Sequence, residues 1–365
     1  MLGQRCNGDC SDCGSIVDWV ADRPHLAAVL MDPLTWLGGP ADPFLILLLA
    51  LAIDAAVGDP DWLYRALPHP VALVGKTIEV GERWLNAPRA SDAPRFLAGL
   101  LLTLFVIALA AAVGWLIGLL LGHVFGGWLI EAVLASILLA GRGLYDHVQA
   151  VARGLSQGLG AGRAAVARIV GRDPESLDAA GVRRAAVESL AENFSDGLVA
   201  PAFWYALFGL TGYGLAGLCA YKAINTLDSM IGHRDERYRA FGKAAARLDD
   251  AANWLPARLA GSLVVVGAAL LPGASAGRAW TAMLHDAPKH RSPNAGWQEA
   301  AFAGALDLAL AGPRRYGEIL VEDAWMGDGR HELTEDDLIA ALRLYLAAWG
   351  TLSLLAAAIW ALPLG

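Results

Sequence analysis

Three carboxylates recur at helical spacing within residues 183–197, RRAAVESLAENFSDG. Glu188 and Glu192 stand four residues apart and Asp196 follows after four more, so a continuous helix would place all three on one face. Such carboxylates repel one another unless a cation or water relieves the repulsion, and their oxygens are typical Mg²⁺ ligands. The pattern indicates a divalent metal site, with a solvated acidic helix face as the alternative.

A second polar segment, residues 221–258, mixes acidic, basic and amide side chains in dense succession. Guanidinium groups bind phosphate through two parallel hydrogen bonds, and aspartates coordinate magnesium ions that bridge phosphates. The segment therefore indicates phosphate handling, and a salt-bridge network between helices is the alternative. Its candidate site residues include the carboxylates Asp228, Asp249 and Asp250 and the bases Arg234, Arg237, Lys243 and Arg247.

Two shorter clusters could contribute to the same site. Asp59 follows a glycine and precedes a proline, and His69 lies between two prolines, so both belong to stiff turns after an apolar stretch. Arg291 and Asn294 lie in a polar, turn-rich loop before a small-residue helix, where backbone N–H groups can bind an anion. The sequence contains no Walker-type glycine loop, so a nucleotide site cannot be inferred from that motif.

The amino-acid composition predicts the class of fold that positions these residues. Of the 365 residues, 56% are hydrophobic and 18% are charged, and the mean hydropathy is +0.44. These values predict an all-α fold, a polytopic integral membrane helical bundle with amphipathic and polar helical segments between the spans. The net charge of −8 argues against nucleic acid as a partner, because a phosphate backbone requires a basic surface.

A bilayer core needs about 20 apolar residues. At least four and up to six spans are predicted, at residues 43–57, 96–122, 124–140, 198–221, 255–274 and 342–364. Seven Lys and Arg residues lie in 142–184 and seven in 222–258, so a single pass through 198–221 would leave one basic set outside. That stretch is therefore interpreted as a re-entrant or broken element.

The first 41 residues are predicted to be a disordered extension, followed by one membrane-embedded catalytic domain at residues 42–365. The extension holds Cys6, Cys10 and Cys13, a spacing that could bind zinc or an iron–sulfur cluster. Incidental thiols are the favoured interpretation, because the surrounding Gly- and Asp-rich sequence offers no supporting fold and no clear fourth ligand.

Four long motifs together carry a family resemblance. The chain resembles the adenosylcobinamide-phosphate synthase family, membrane proteins of cobalamin biosynthesis, over roughly residues 50–364 in collinear order. The motifs are GDPDWLYRALPHPVALVGK (58–76), RRAAVESLAENFSDGLVAPAFWY (183–205), YKAINTLDSMIGHRDERYRAFGKAAARLDDAANWLPARL (221–259) and HRSPNAGWQEAAFAGAL (290–306).

The resemblance implies an amide-forming reaction in a multi-pass protein of the cell membrane, with a cytoplasmic active site. Adenosylcobyric acid would be joined to (R)-1-aminopropan-2-yl phosphate, or to a related amino-alcohol phosphate, giving adenosylcobinamide phosphate. ATP and Mg²⁺ are the expected cofactors, because a carboxylate resists attack by an amine until it is activated. The lipid bilayer and other cobalamin-biosynthesis enzymes are the further partners it implies.

The resemblance also suggests roles for the polar residues of the motifs. Six carboxylates would serve as metal ligands or as bases for the attacking ammonium: Glu188, Glu192, Asp196, Asp228, Asp249 and Asp250. Lys222, Arg234, Arg237, Lys243, Arg247 and Arg258 would contact phosphates, with Lys222 also a catalytic candidate. Asn193, Asn225, Ser229 and Asn294 would orient carboxamides on the corrin rim, and Asp59, His69 and Arg291 complete the expected substrate site.

A corrinoid transporter is the main alternative function. Asp54 and Glu131 lie within predicted spans, and carboxylates inside a membrane are costly unless they face protein or water. Broken, glycine-rich spans are also typical of transporters. A membrane scaffold for other cobalamin enzymes is a further alternative.

Overall fold

A computed structural model describes residues 41–60, 64–65, 67–87, 89–170, 174–316 and 319–362. The predicted disordered extension and its three cysteines lie outside the described residues, apart from Ala41. The helices are α1 (Pro43–Val57), α2 (Pro70–Leu85), α3 (Asp92–Leu121), α4 (Gly127–Leu138), α5 (Gly141–Gln157), α6 (Leu159–Val166), α7 (Ala179–Asn193), α8 (Ala200–Gly209), α9 (Gly214–Ile231), α10 (Lys243–Ala252), α11 (Trp254–Leu270), α12 (Ala276–Asp286), α13 (Ala295–Leu306) and α14 (Glu335–Ala361).

Short elements complete the architecture. A π-helix, Phe194–Val199, joins α7 to α8, and two single 3-10 turns lie at Pro174–Ser176 and Ala287–Lys289. The described residues between α13 and α14 form four short strands: β1 (Leu310–Ala311), β2 (Arg314–Tyr316), β3 (Ile319–Val321) and β4 (Trp325–Met326). They make two antiparallel pairs, in which β1 pairs with β4 and β2 pairs with β3.

The prediction of an all-α membrane protein is confirmed. Three helical segments of the described chain are long and apolar enough to cross a bilayer: Asp92–Leu121, Gly127–Gln157 and Glu335–Ala361. The pair α10 and α11, bent by 44°, would make a fourth span if it crosses as one unit. The second segment comprises α4, which lies within the predicted span 124–140, and α5, which follows it after a short break.

The predicted span at 198–221 is a helical hairpin. Helix α8 ends at Gly209, and α9 begins at Gly214 and packs back against α8. Gly214 and Gly217 permit this close approach, because a side chain at either position would overlap Tyr205 or Phe208. The hairpin therefore returns the chain to its starting side, with the Tyr221 hydroxyl 3.1 Å from the carbonyl oxygen of Asp196.

Asp54, one of the two carboxylates in apolar sequence, caps a helix. Its Oδ2 accepts a hydrogen bond of 2.9 Å from the N–H of Gly141, the first residue of α5. The break between α4 and α5 leaves such N–H groups without partners inside the helix, and a carboxylate there also complements the helix dipole. Glu131 of α4 accepts a hydrogen bond of 2.8 Å from the Tyr205 hydroxyl.

We expect Asp54→Ala to lower the free energy of unfolding by about 1–3 kcal/mol, because it leaves the buried N–H of Gly141 without its partner. Thermal unfolding in detergent measures the effect. Ser136→Ala is the matched control beside the same break, because the Ser136 hydroxyl bonds only to the Val133 carbonyl of its own helix. Equal melting temperatures for the two variants would contradict the capping role.

Gly99 of α3 fixes the loop that precedes α10. A Cβ atom at this position would overlap the carbonyl oxygen of Phe241, whereas a Cβ at Gly118 of the same helix meets nothing within 4 Å. We expect Gly99→Ala to cost about 1–3 kcal/mol through overpacking, and Gly118→Ala to change stability little. Melting temperatures of the two variants in detergent check this, and comparable values would contradict the close packing.

Candidate active site

An acidic cavity of about 430 Å³ lies where the end of α7, the π-helix, α9, α10 and the loop before α13 meet. The hairpin of α8 and α9 brings the two polar segments of the sequence together here, as the interpretation of 198–221 required. Five carboxylates from these elements line the cavity: Glu192, Asp196, Asp228, Asp249 and Asp250.

A basic cavity of the same size, about 430 Å³, adjoins the acidic one. Gly232, His233, Arg234, Ala246 and Asp250 line both, so the two cavities form one polar cleft. The remaining cations of the basic cavity are Arg239, Lys243 and Arg247. Carboxylates and phosphate-binding groups therefore stand side by side.

Helix α10 holds the aspartates of the acidic cavity in place. Asn253 follows Asp249 by one turn, and its Nδ2 donates a hydrogen bond of 3.0 Å to Asp249 Oδ2. The Tyr221 hydroxyl donates to Asn253 Oδ1 at 2.9 Å, which fixes the orientation of that amide. The Asn225 side chain lies against Asp249 from α9. Asp249 Oδ1 is nevertheless buried without a hydrogen bond of normal geometry.

The loop before α13 closes the opposite wall. The Ser292 hydroxyl accepts hydrogen bonds from the N–H groups of Asn294 (3.3 Å) and Ala295 (3.2 Å), which caps the start of the helix. Asn294 Nδ2 donates a hydrogen bond of 2.8 Å to the carbonyl oxygen of Asp250, while its Oδ1 is buried with no hydrogen-bond partner in the described part of the chain. Arg291 lines the acidic cavity from the same loop.

Burial and mutual repulsion govern the charges of the acidic cavity. Burial raises the pKa of Asp196 well above its usual value, and the charges of Asp249 and Glu192 raise it further. Burial likewise raises the pKa of Asp228, with the Asp250 charge adding to the effect. Both shifts show that negative charge is costly here, so a bound cation would be favoured.

Lys222 lies between Asp196 and Asp59. Burial lowers the pKa of its ammonium group, and the charges of these two aspartates oppose that effect. Lys222 also borders a third, apolar cavity of about 270 Å³ between α2, α3, α4 and α9. This ammonium group is therefore positioned to balance the charge of Asp196 from outside the acidic cavity.

The stiff turn around Asp59 and His69 is a local structure beside Lys222. His69 Nδ1 accepts a hydrogen bond of 3.1 Å from the Val71 N–H and so caps α2, while Nε2 lies 3.9 Å from Asp59 Oδ1. The Tyr64 hydroxyl donates to the same Asp59 oxygen at 3.1 Å. Burial lowers the pKa of His69, which suits a neutral ring that accepts a backbone hydrogen bond.

Glu188 does not line the acidic cavity. Its Oε1 accepts a hydrogen bond of 2.8 Å from the Ala311 N–H in β1. This contact is buried and joins residues that are 123 positions apart in the sequence. The continuous helix face expected for Glu188, Glu192 and Asp196 ends at Asn193, because the π-helix that follows has a wider turn. Glu192 and Asp196 reach the cavity, and Glu188 holds the β1 segment.

Like Lys222, Asp59 and His69, five further predicted site residues do not line either polar cavity: Asn193, Asn225, Ser229, Arg237 and Arg258. The Asn193 amide donates to the Ser189 carbonyl, and the Ser229 hydroxyl donates to the Asn225 carbonyl, each within one turn of helix. Arg237 forms an ion pair of 2.6 Å with Glu82. The Arg258 guanidinium stacks between the Trp254 and Trp297 rings, 4.1 and 4.5 Å from their centroids.

Sequence reasoning missed Tyr221 and Asn253 as site residues. Both are buried, and together they connect the carbonyl of Asp196 to the carboxylate of Asp249. The spacing of four residues between Asp249 and Asn253 was the available signal, because it places both on one helix face. Nothing in the sequence around Tyr221 indicated a contact across 32 residues.

The donor set of the acidic cavity fits Mg²⁺. Within the described ranges, no three His, Cys, Asp or Glu side chains already converge as a metal cluster. Mg²⁺ does not require one, because it binds through one or two carboxylates and completes its shell with water and substrate phosphates. The buried, unpartnered Oδ1 of Asp249 is an oxygen that such an ion would satisfy.

Comparison with known proteins agrees with the motifs. The family model described as CobD/Cbib protein matches residues 47–345. A Sinorhizobium protein named cobalamin biosynthesis protein CobD is 52% identical over 309 residues, 83% of this chain and 94% of the relative. Proteins of the same name from Brucella suis and Rhodobacter capsulatus are 50% and 44% identical, covering 85% and 86% of this chain and 94% and 98% of their own lengths. No solved structure matches.

Proposed function

This chain belongs to the CobD/Cbib protein family, and from that membership we propose that it works in cobalamin biosynthesis as an amide-forming ligase of the cell membrane. The proposed reaction joins adenosylcobyric acid to (R)-1-aminopropan-2-yl phosphate, or a related amino-alcohol phosphate, to give adenosylcobinamide phosphate. The polar cleft would face the cytoplasm, where these substrates are found.

The pairing of an acidic and a basic cavity is the observation that supports this chemistry. The reaction brings together a phosphorylated amine and ATP, so the site must bind phosphates beside a cation and an ammonium group. Arg234, Lys243 and Arg247 would bind phosphate oxygens in the basic cavity. Asp249 and Asp250 would hold Mg²⁺ in the acidic cavity, and Asp228 would attract the ammonium there.

Amide formation needs an activated carboxyl carbon and a neutral amine. ATP would transfer a phosphoryl group to the corrinoid carboxylate with release of ADP, so that one carboxylate oxygen can later leave as phosphate. Mg²⁺ held by the carboxylates of the acidic cavity would supply charge neutralisation for the phosphates. A carboxylate of the acidic cavity accepts a proton from the substrate ammonium, which frees the nitrogen lone pair for attack. Asp228 is the candidate base, because burial raises the pKa of its carboxyl group toward neutral pH, where a general base is most effective.

Once the amine is neutral, its nitrogen forms the C–N bond, phosphate leaves with the electrons of the C–O bond, and the second proton of the nitrogen leaves with that phosphate. Arg234 lines both cavities, so its guanidinium would be available to phosphate oxygens in either half of the cleft. The balance is one amide, one phosphate and one ADP for each ATP consumed.

A substrate-omission assay tests the proposal. Purified protein in detergent is given adenosylcobyric acid, aminopropanol phosphate, ATP and MgCl₂, and products are identified by mass spectrometry. We expect adenosylcobinamide phosphate in the complete mixture and none when either organic substrate or ATP is left out. Absence of product from intact protein, together with corrinoid uptake by proteoliposomes, would overturn the proposal in favour of a carrier.

A further inference from the structure

Two side-chain oxygens of residues that line the acidic cavity, Asp249 Oδ1 and Asn294 Oδ1, lack a hydrogen bond of normal geometry among the described residues, although neighbouring hydrogen bonds fix how both side chains are oriented. Asn294 is 6% exposed, and the hydrogen bond from its Nδ2 to the Asp250 carbonyl fixes which end of the amide carries the oxygen. Among the described residues, its Oδ1 has no hydrogen-bond partner, and Asp249 Oδ1 has none of normal geometry although the Asn225 side chain lies close to that carboxylate. A buried acceptor without a donor is costly, so both atoms point to a ligand that supplies positive charge or a donor.

A short hydrogen-bonded relay stands behind one of these oxygens. The Tyr221 hydroxyl has one hydrogen, shared between Asn253 Oδ1 at 2.9 Å and the Asp196 carbonyl at 3.1 Å. Because Asn253 Oδ1 is the acceptor, its Nδ2 must face Asp249 Oδ2, to which it donates at 3.0 Å. Asn253 is 1% exposed, so its hydrogen bonds to Tyr221 and Asp249 are shielded from bulk water.

We propose that Asp249 Oδ1 and Asn294 Oδ1 are ligands of a divalent cation with hard-oxygen preference, and that Tyr221 and Asn253 are positioning residues that aim Asp249 at it. Ligating carboxylates are commonly held by such outer hydrogen bonds, whose loss typically costs about 10–100-fold in metal affinity. The relay also connects Asp249 to the backbone of Asp196, which lies in another wall of the cavity. The role of the cation in catalysis rests on the proposed function, but its binding does not.

Mn²⁺ binding to the purified full chain in detergent, followed by electron paramagnetic resonance, tests this inference without any substrate. We expect Tyr221→Phe to weaken Mn²⁺ binding about 10-fold or more, because the ring stays and only the hydroxyl is lost. Asp249→Asn and Asn294→Ala should weaken it at least as much. Tyr345→Phe is the matched control, since this buried tyrosine also loses one hydrogen bond, to the Gly141 carbonyl, but lies outside the cavity.

Wild-type protein that binds no Mn²⁺ would overturn the cation site. Unchanged affinity in both Asp249→Asn and Asn294→Ala would do the same. Unchanged affinity in Tyr221→Phe would overturn the relay. Thermal unfolding of each variant separates loss of the site from loss of the fold. Wild-type protein that binds Mn²⁺ in the expected pattern but makes no amide would leave this inference standing while contradicting the proposed function.

Discussion

Asp228→Asn lowers the rate of adenosylcobinamide phosphate formation at least about 100-fold while the protein still inserts into the membrane and folds. The carboxylate lines the acidic cavity at the end of α9. Gly232 packs so closely against it that a Cβ atom at position 232 would overlap Asp228 Oδ1. An amide has nearly the same shape but can neither accept the ammonium proton nor hold a cation with a full charge. Product formation at saturating substrates, measured by mass spectrometry, gives the rate.

Asp146→Asn is the matched control for this experiment. Asp146 is also a helical aspartate, but its carboxylate pairs with Arg142 at 2.9 Å on an exposed face away from the polar cleft. Its removal should leave the rate within about two-fold of wild type, because Asp146 lines neither cavity of the polar cleft. A normal rate in Asp228→Asn would remove this residue from the site.

Arg234→Gln is expected to raise the KM for the amino-alcohol phosphate or for ATP by about 10–100-fold. Arg234 lines both cavities, and a hydrogen bond to a charged group contributes about 1.5–3 kcal/mol. Glutamine keeps a polar side chain but loses the charge and the two-pronged geometry that match a phosphate. Initial rates with one substrate varied at a time show which KM changes.

Arg237→Gln separates loss of a phosphate contact from loss of any basic residue in this loop. Arg237 lies three residues from Arg234, but its guanidinium is bound to Glu82 outside both cavities. We expect KM values close to wild type, with a modest loss of stability. Equal increases in KM for both variants would show that general charge, rather than the cleft geometry, governs binding.

The sequence supports the class of fold and the segments that form the site, because hydropathy and the four motifs depend on local composition. It does not show how 198–221 is traversed. Hydropathy measures the apolar content of α8 and α9 together, whereas the turn between them depends on glycines that let the helices pack closely. The basic residues on both sides of the stretch, together with its proline and glycines, indicated a broken or re-entrant element.

Individual roles depend on contacts that residue type cannot reveal. Glu188 and Glu192 are equivalent by spacing, yet one bonds to Ala311 and the other lines the acidic cavity, since the π-helix changes the direction of the side chains that follow. Arg247 and Arg258 are both arginines of the same motif. Arg247 lines the basic cavity, while two tryptophans enclose Arg258. Such differences arise from tertiary packing.

The most direct test of the central claim is where the substrates bind. A cryo-electron microscopy map of the purified protein with adenosylcobyric acid, Mg²⁺ and a non-hydrolysable ATP analogue should place the nucleotide phosphates between Arg234, Lys243 and Arg247. The corrinoid carboxylate should then lie beside Asp228 and Asp249. Substrate density in the apolar cavity beside Lys222, with the polar cleft free of ligand, would contradict the account.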